Sequence, residues 1–185
     1  MNIKGKVVTL RAIEKEDLEL MKDMFNDHEL ESLVVGWAFP ISIYQQNLWY
    51  ESNINNNTNL RFIIETSEKE AVGLATLTDI DWKNRKATHG IKLALSKNRK
   101  KGLGTDTVMA LMRYAFNELQ LNRLDSSILD YNVGSKKLYC DRCGWTVEGV
   151  QRKYIFKNGI YHDLQIVGIL NEDYQNLVKL NNYWE

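Results

Sequence analysis

Arg99-Lys100-Lys101-Gly102-Leu103-Gly104 separates an apolar, strand-like run from a long amphipathic helical one. Two glycines in a basic turn let the backbone approach an anion closely. The unpaired N–H groups of the helical turn that follows point at the same anion. Strand, glycine-containing basic turn and helix together make a phosphate cradle. Taken locally, the six residues also fit a solvated basic turn with a helix-starting glycine, so the flanking sequence has to decide.

Upstream, residues 61–66, 71–82 and 88–95 carry strand patterns, separated by the charged turns Ser67-Glu68-Lys69-Glu70 and Lys83-Asn84-Arg85-Lys86. These are antiparallel hairpins contiguous in sequence. Downstream, residues 105–119 place Val108, Leu111, Met112, Ala115, Phe116 and Leu119 on one helical stripe. A strand at 123–130 follows, then a short helix at 135–143 closing at Gly144. A hairpin of residues 145–156 and 161–170 turns at Lys157-Asn158-Gly159. Before the hairpins lie a strand at 6–12, a helix at 14–25, an aromatic loop at 36–40 and a helix from an N-cap at Ser42 to about residue 53. Neither common nucleotide motif fits. Gly104 is followed by Thr105 and Asp106, not the Lys-Ser/Thr of a Walker loop. A dinucleotide fingerprint needs a third glycine and a parallel βαβ unit.

The 185 residues suffice for one ordinary domain, and no repeat or boundary divides them, so residues 1–185 are expected to form a single α+β domain. The 24 basic and 24 acidic side chains cancel, which argues against a nucleic-acid or strongly membrane-attracted partner. No apolar run approaches the ~20 residues of a membrane span. With no apolar signal core after Met1 and two cysteines that suit a reducing compartment, a cytoplasmic enzyme or binding protein is expected. Cys140 and Cys143 form a CxxC. A structural zinc site needs a second pair, and redox CxxC motifs sit at a helix start rather than at its end, so no metal is expected.

Arg99, Gly102 and Gly104 match the acetyl-CoA turn Gln/Arg-x-x-Gly-x-Gly/Ala of the GNAT N-acetyltransferases. Asp79-Ile80-Asp81-Trp82-Lys83-Asn84-Arg85-Lys86-Ala87 resembles the preceding hairpin of the ribosomal-protein-type (Rim-like) branch. Tyr114-Ala115-Phe116-Asn117-Glu118-Leu119 with Asn122-Arg123 is similar to the helix and its exit. Asn132, Ser135, Leu138, Tyr139, Gly144-Trp145 and Glu148-Gly149 resemble the closing motif. The resemblance runs in order from about residue 6 to residue 174. It implies a GNAT fold: a mixed, mostly antiparallel central sheet, helices on both faces, and two strands splayed at the acetyl-CoA site.

The resemblance further implies direct acetyl transfer from acetyl-CoA, as cosubstrate, to a primary amine. The pyrophosphate would be held by backbone N–H groups of Arg99, Lys100, Lys101, Gly102, Leu103, Gly104 and Thr105. The oxyanion donor would come from the strand end at Leu93, Ala94 and Leu95. Asn132 resembles the residue that bonds the pantetheine arm, and an ordinary turn asparagine is its other reading; Ser135 follows it in the same motif. Tyr139 stands at the position of the general acid that protonates the leaving thiolate. One departure is the four residues between Tyr139 and Gly144, where the family has three. Either the helix end carries an extra residue or Cys140 takes the tyrosine's place. Many relatives have a glutamate where this chain has Thr88; His89 points to the opposite face and reads as a packed or surface histidine. Asp79 and Asp81 remain as candidate proton acceptors, directly or through water, with solvated turn-flanking carboxylates as their other reading.

The acceptor would be gripped by Trp37, Phe39, Glu31 and Tyr154, an aromatic and carboxylate set that suits a cationic amine or an amino sugar. A small-molecule amine (amino sugar, polyamine or aminoglycoside-like) is the expected acceptor. A protein N-terminal amine and a non-catalytic acetyl-CoA-binding domain are the alternatives. By analogy with the family, a homodimer is expected.

Overall fold

A computed structural model describes residues 1–36, 39–53, 56–94 and 102–185. Its strands are β1 (Ile3–Lys4), β2 (Val8–Arg11), β3 (Leu60–Thr66), β4 (Ala71–Asp81), β5 (Lys86–Leu93), β6 (Arg123–Leu129), β7 (Thr146–Lys157) and β8 (Ile160–Leu170). They form one sheet in the order β1-β2-β3-β4-β5-β6-β8-β7. Every pairing is antiparallel except β5 with β6. The mixed, mostly antiparallel sheet expected from the sequence is the one observed.

The helices are α1 (Leu18–Asn26), α2 (His28–Ser32), α3 (Ile43–Asn53), α4 (Leu103–Arg113), α5 (Val133–Lys136) and α6 (Asn171–Asn181). Leu18, Met21 and Met24 of α1 pack with Ile63 and Leu74 on one face of the sheet. Val108, Leu111 and Met112 of α4 pack on the other, against Ile64, Ala75 and Leu77. The period of two along β3 and β4 supplies both layers, because Ile63 and Ile64 point oppositely. Ser42 caps α3 as its sequence predicts: its Oγ accepts from Gln45 N at 3.2 Å, while Gln45 Oε1 accepts from Ser42 N at 2.8 Å.

The structure departs from the sequence reading in three places. The strand expected over residues 6–12 is confined to Val8–Arg11 and is preceded by a further short strand, Ile3–Lys4, because the chain turns at Gly5 onto Asp106. That carboxylate accepts from the backbone N–H groups of Lys6, Val7 and Val8 at 2.8, 2.7 and 2.9 Å. Tyr183 Oη donates to it at 3.2 Å. A Cβ on Gly5 would lie 2.3 Å from Asp106 Oδ2, so the close approach requires glycine. Secondly, the helix expected over 105–119 widens to a π-helical turn at Tyr114–Glu118. Thirdly, α6 had no counterpart in the sequence reading. It buries Tyr174, whose phenol oxygen accepts from Trp184 Nε1 at 2.9 Å.

Asp106→Ala would leave three backbone donors and a phenol without their acceptor. It is expected to cost about 3 kcal/mol of stability. Urea denaturation followed by circular dichroism measures this directly, and a loss below about 1 kcal/mol would contradict the clamp.

Candidate active site

β5 and β6 pair in parallel for three residues only, Lys86–Thr88 with Arg123–Asp125. Beyond them β5 follows β4 and β6 follows β8, so the two strands diverge. The alternation of antiparallel hydrogen bonds fixes what the divergence exposes. Ala94 N donates to Val72 O at 2.9 Å, which makes Val72 and Ala94 a hydrogen-bonded pair. Lys92 and Gly90 then also point their N–H groups at β4, while Ile91 and Leu93 point theirs toward the gap. Of the expected oxyanion donors, Ala94 is therefore already engaged, and Leu93 is available. Leu95 lies outside the described residues.

Two cavities meet at this gap. The first, of about 570 Å³, is lined by Leu93 and Ala94, by Gly102, Leu103, Gly104 and Thr105, and by Asn132 to Ser135. Gly102 has φ 76°, a left-handed conformation that starts α4 and favours glycine. A Cβ on Gly104 would meet Leu138 at 3.4 Å and Leu93 at 3.6 Å, so a small residue here lets α4 approach β5. The N–H groups of Leu103, Gly104 and Thr105 are the orphan donors of a helix start, and they open on this cavity. A pyrophosphate fits that donor set. Arg99, Lys100 and Lys101 lie outside the described residues.

The second cavity, of about 360 Å³, passes between the diverging strands and is lined by Tyr139, His89, Ser126, Arg61 and Lys92, among others. Tyr139 belongs to a π-helical turn, Lys137–Arg142, and this wide turn takes up the extra residue before Gly144. Tyr139 therefore faces the cavity, while Cys140 packs against the core. Tyr139 Oη lies 3.0 Å from His89 Nδ1, both fully enclosed. Burial pushes the phenol above its ordinary pKa, and it drives the imidazole down to about 3, so both are neutral at physiological pH. Burial also pushes the Cys143 thiol up to about 12, which leaves it unreactive. Among the described residues no group of three or more His, Cys, Asp or Glu converges as a metal site would.

Asn132 caps α5: its Oδ1 accepts from Ser135 N at 2.9 Å while its Nδ2 donates to Leu33 O at 2.8 Å. It lines both cavities, as does Ser135. Tyr131 Oη bonds Ser32 O, and Lys157 Nζ donates to Glu31 O at 2.6 Å and Gly36 O at 3.1 Å. The end of α2 is thereby held to the far half of the chain.

Several sequence expectations are corrected. Asp79 and Asp81 line neither cavity. By the period of two they fall on the face of Leu77, opposite the cavity-lining Thr76 and Thr78, and a bulge between Thr78 and Asp81 interrupts the strand there. Asp79 is exposed with φ 51°, its N–H bonded to Asn59. Asp81 accepts from Asn84 N and Nδ2 at 2.9 and 2.6 Å, bonds that hold its carboxyl below the usual range and make it a poor base. Glu31 is not free for a ligand, because Lys92 pairs with it. Phe39 and Tyr154 line neither cavity and are 67% and 58% exposed. Trp37 lies outside the described residues. The sequence reading overlooked Lys92, whose Nζ also sits 4.4 Å from the Phe25 ring centroid. Its signal was a single lysine between Ile91 and Leu93, on the strand face shared with Thr88 and Gly90.

Splayed strands leading to a glycine-started helix are the architecture of an acyl-CoA cleft, and a model of the acetyltransferase (GNAT) domain matches residues 8–146. The chain belongs to the GNAT acetyltransferase family. It is an acetyl-CoA-dependent N-acetyltransferase. An SPbeta prophage-derived N-acetyltransferase of Bacillus subtilis, YokL, is 30% identical to it over 172 residues, covering 92% of this chain and 94% of that protein. Spermidine N(1)-acetyltransferase of Vibrio cholerae is 28% identical over 169 residues, covering 91% and 96%. The crystal structure of spermidine N-acetyltransferase from Vibrio cholerae in complex with CoA and spermine matches with a TM-score of 0.85 at 28% identity, covering 91% of this chain and 98% of that one.

Asn132→Ala removes the cap of α5 and the tie to Leu33 together. CoA affinity measured calorimetrically is expected to fall roughly five- to ten-fold, about 1 kcal/mol for a lost cap. Unchanged affinity would assign Asn132 to the turn alone.

Proposed function

We propose that the chain transfers the acetyl group of acetyl-CoA directly to a primary amine of a small polyamine of the spermidine class. The observation that carries the transfer is the single path from the orphan N–H groups of α4 to the gap between β5 and β6. In this reading the helix start holds the pyrophosphate and Leu93 N–H donates to the oxygen on which charge develops. Tyr139, kept protonated by burial, gives its proton to the departing thiolate. The polyamine acceptor is supported by the relatives named above, which match more than nine-tenths of the chain.

No Asp or Glu lines either cavity, and residues 37, 38, 54, 55 and 95–101 contain none. The amine therefore enters as the free base. Arg61 favours that form, since a neighbouring cation disfavours an ammonium, while the charge of Lys92 is met by Glu31. The same lining favours a second reading: Thr76, Thr78, Thr88, Ser126 and Ser127 offer hydroxyl groups suited to an amino sugar.

The continuous sheet supports one domain over residues 1–185, and no described helix is long and apolar enough to cross a membrane. Two free cysteines fit the cytoplasm, where thiols stay reduced. A homodimer is supported by the edge strand β7, which is exposed along both faces and carries Tyr154 and Phe156, with Tyr161 opposite on β8. Light scattering is expected to give twice the 21.6 kDa chain mass, and a monomer at micromolar concentration would overturn this assembly.

Thiol release from acetyl-CoA over spermidine, spermine, glucosamine and a peptide N-terminus tests the acceptor. Turnover is expected on spermidine; turnover on glucosamine alone would favour the amino sugar, and on the peptide alone would overturn both. Below the acceptor's own pKa, kcat/KM is expected to rise about ten-fold per pH unit, because the free-base fraction does. A plateau beginning well below that pKa would reveal a base on the enzyme.

A further inference from the structure

We propose that His89 is a positioning residue for the transfer, holding the Tyr139 phenol by an Nδ1–H···Oη hydrogen bond so that the phenol's own proton points at the leaving sulfur. This rests on the reading of Tyr139 as the general acid. The geometry decides which nitrogen carries the proton. His89 is 1% exposed, and its Nε2 finds no hydrogen-bond partner among the described residues. A proton on Nε2 would be a buried donor without an acceptor, whereas a proton on Nδ1 has Tyr139 Oη at 3.0 Å. Tyr139 Oη therefore accepts from the histidine and keeps its hydrogen to give. The alternative tautomer would aim the phenol hydrogen at the imidazole and away from the gap.

The surroundings hold this arrangement rigid. Trp145 stands edge-on to both rings, with centroids 5.4 Å from His89 and 5.0 Å from Tyr139. His89 and Tyr139 are themselves near perpendicular, at 88° and 5.5 Å. Ser126, on the opposite strand of the gap, lines the same cavity as the phenol. A neutral imidazole adds no charge to the cavity; its pKa near 3 keeps it neutral throughout the working range.

The proton balance is complete. The amine nitrogen attacks the thioester carbonyl, the carbon–sulfur bond breaks, and Tyr139 Oη transfers its proton to sulfur. The resulting phenolate is met by the His89 N–H, a hydrogen bond stronger than the one to the neutral phenol. The proton shed by the new amide nitrogen returns to the phenolate through solvent. His89 thus favours the transition state over the ground state, without touching either substrate.

The test is a double-mutant cycle on the full chain. Tyr139→Phe is expected to lower kcat about 100-fold with KM for acetyl-CoA little changed. His89→Phe, which keeps a ring in the aromatic cluster, is expected to lower kcat about ten-fold with the same KM. His89→Asn, whose amide nitrogen sits near the Nδ1 position, should recover part of that loss. In the Tyr139→Phe background, His89→Phe should cost nothing further, a result that a general packing defect would not give. Thermal unfolding of each variant separates folding from catalysis. An equal loss in both backgrounds, or an undiminished kcat in His89→Phe, overturns the role of His89 alone. An undiminished kcat in Tyr139→Phe overturns the acid itself, and the inference with it.

Discussion

Three residues of parallel pairing between β5 and β6 are the constraint on which the site depends. A longer ladder would close the gap, turn the N–H groups of Ile91 and Leu93 into ordinary sheet bonds and leave no route for an acyl group. A shorter one would let the two halves of the sheet separate. The parting is enforced from both sides, since β5 stays registered with β4 as far as Leu93 and β6 stays registered with β8 as far as Leu129. The site is therefore a controlled failure of hydrogen bonding in an otherwise complete sheet, and the unused donors are what make it reactive.

Asp106 plays the corresponding part for the helix that leads into the gap. It lies in the first turn of α4, where a carboxylate is favoured by the helix dipole, yet its charge is spent on donors from the β1–β2 turn and from Tyr183. The free N–H groups of that helical turn stay open to a ligand because the neighbouring acid is occupied. Both chain ends converge on this one side chain, so local order at the helix start is tied to the fold of the whole chain.

The strands, most helices and the cleft region were legible in the sequence because they follow simple periods. α4 carries an apolar stripe, and Ser42 with Gln45 announces a cap. What escaped reading depended on contacts distant in sequence. The break at Gly5 is set by a carboxylate about a hundred positions away, and the engagement of Glu31 by Lys92 is invisible until α2 is laid across β5. The expectation for Asp79 and Asp81 assumes a regular strand, whereas a bulge, which no local pattern announces, interrupts it between Thr78 and Asp81, and neither carboxylate reaches a cavity. α6 is different: Tyr174, Leu177 and Val178 have helical spacing and could have been read. His89 lies on the face opposite Thr88, as the period of two predicts, but its partner Tyr139 is fifty residues on, and no local pattern joins the two.

The wide turn at Lys137–Arg142 has a bearing on how such chains diverge. Inserting one residue into a regular helix rotates everything after it by about 100°, which would swing Gly144 and Trp145 out of place. A π-helical turn confines the rotation to a single loop of backbone. The insertion is thus silent on either side: Asn132, Ser135 and Tyr139 keep their spacing before it, and the closing glycine and indole keep theirs after it. A residue gained or lost at this point is a neutral edit to the chain's length, and homologous chains that differ by it can present the same phenol to the same gap.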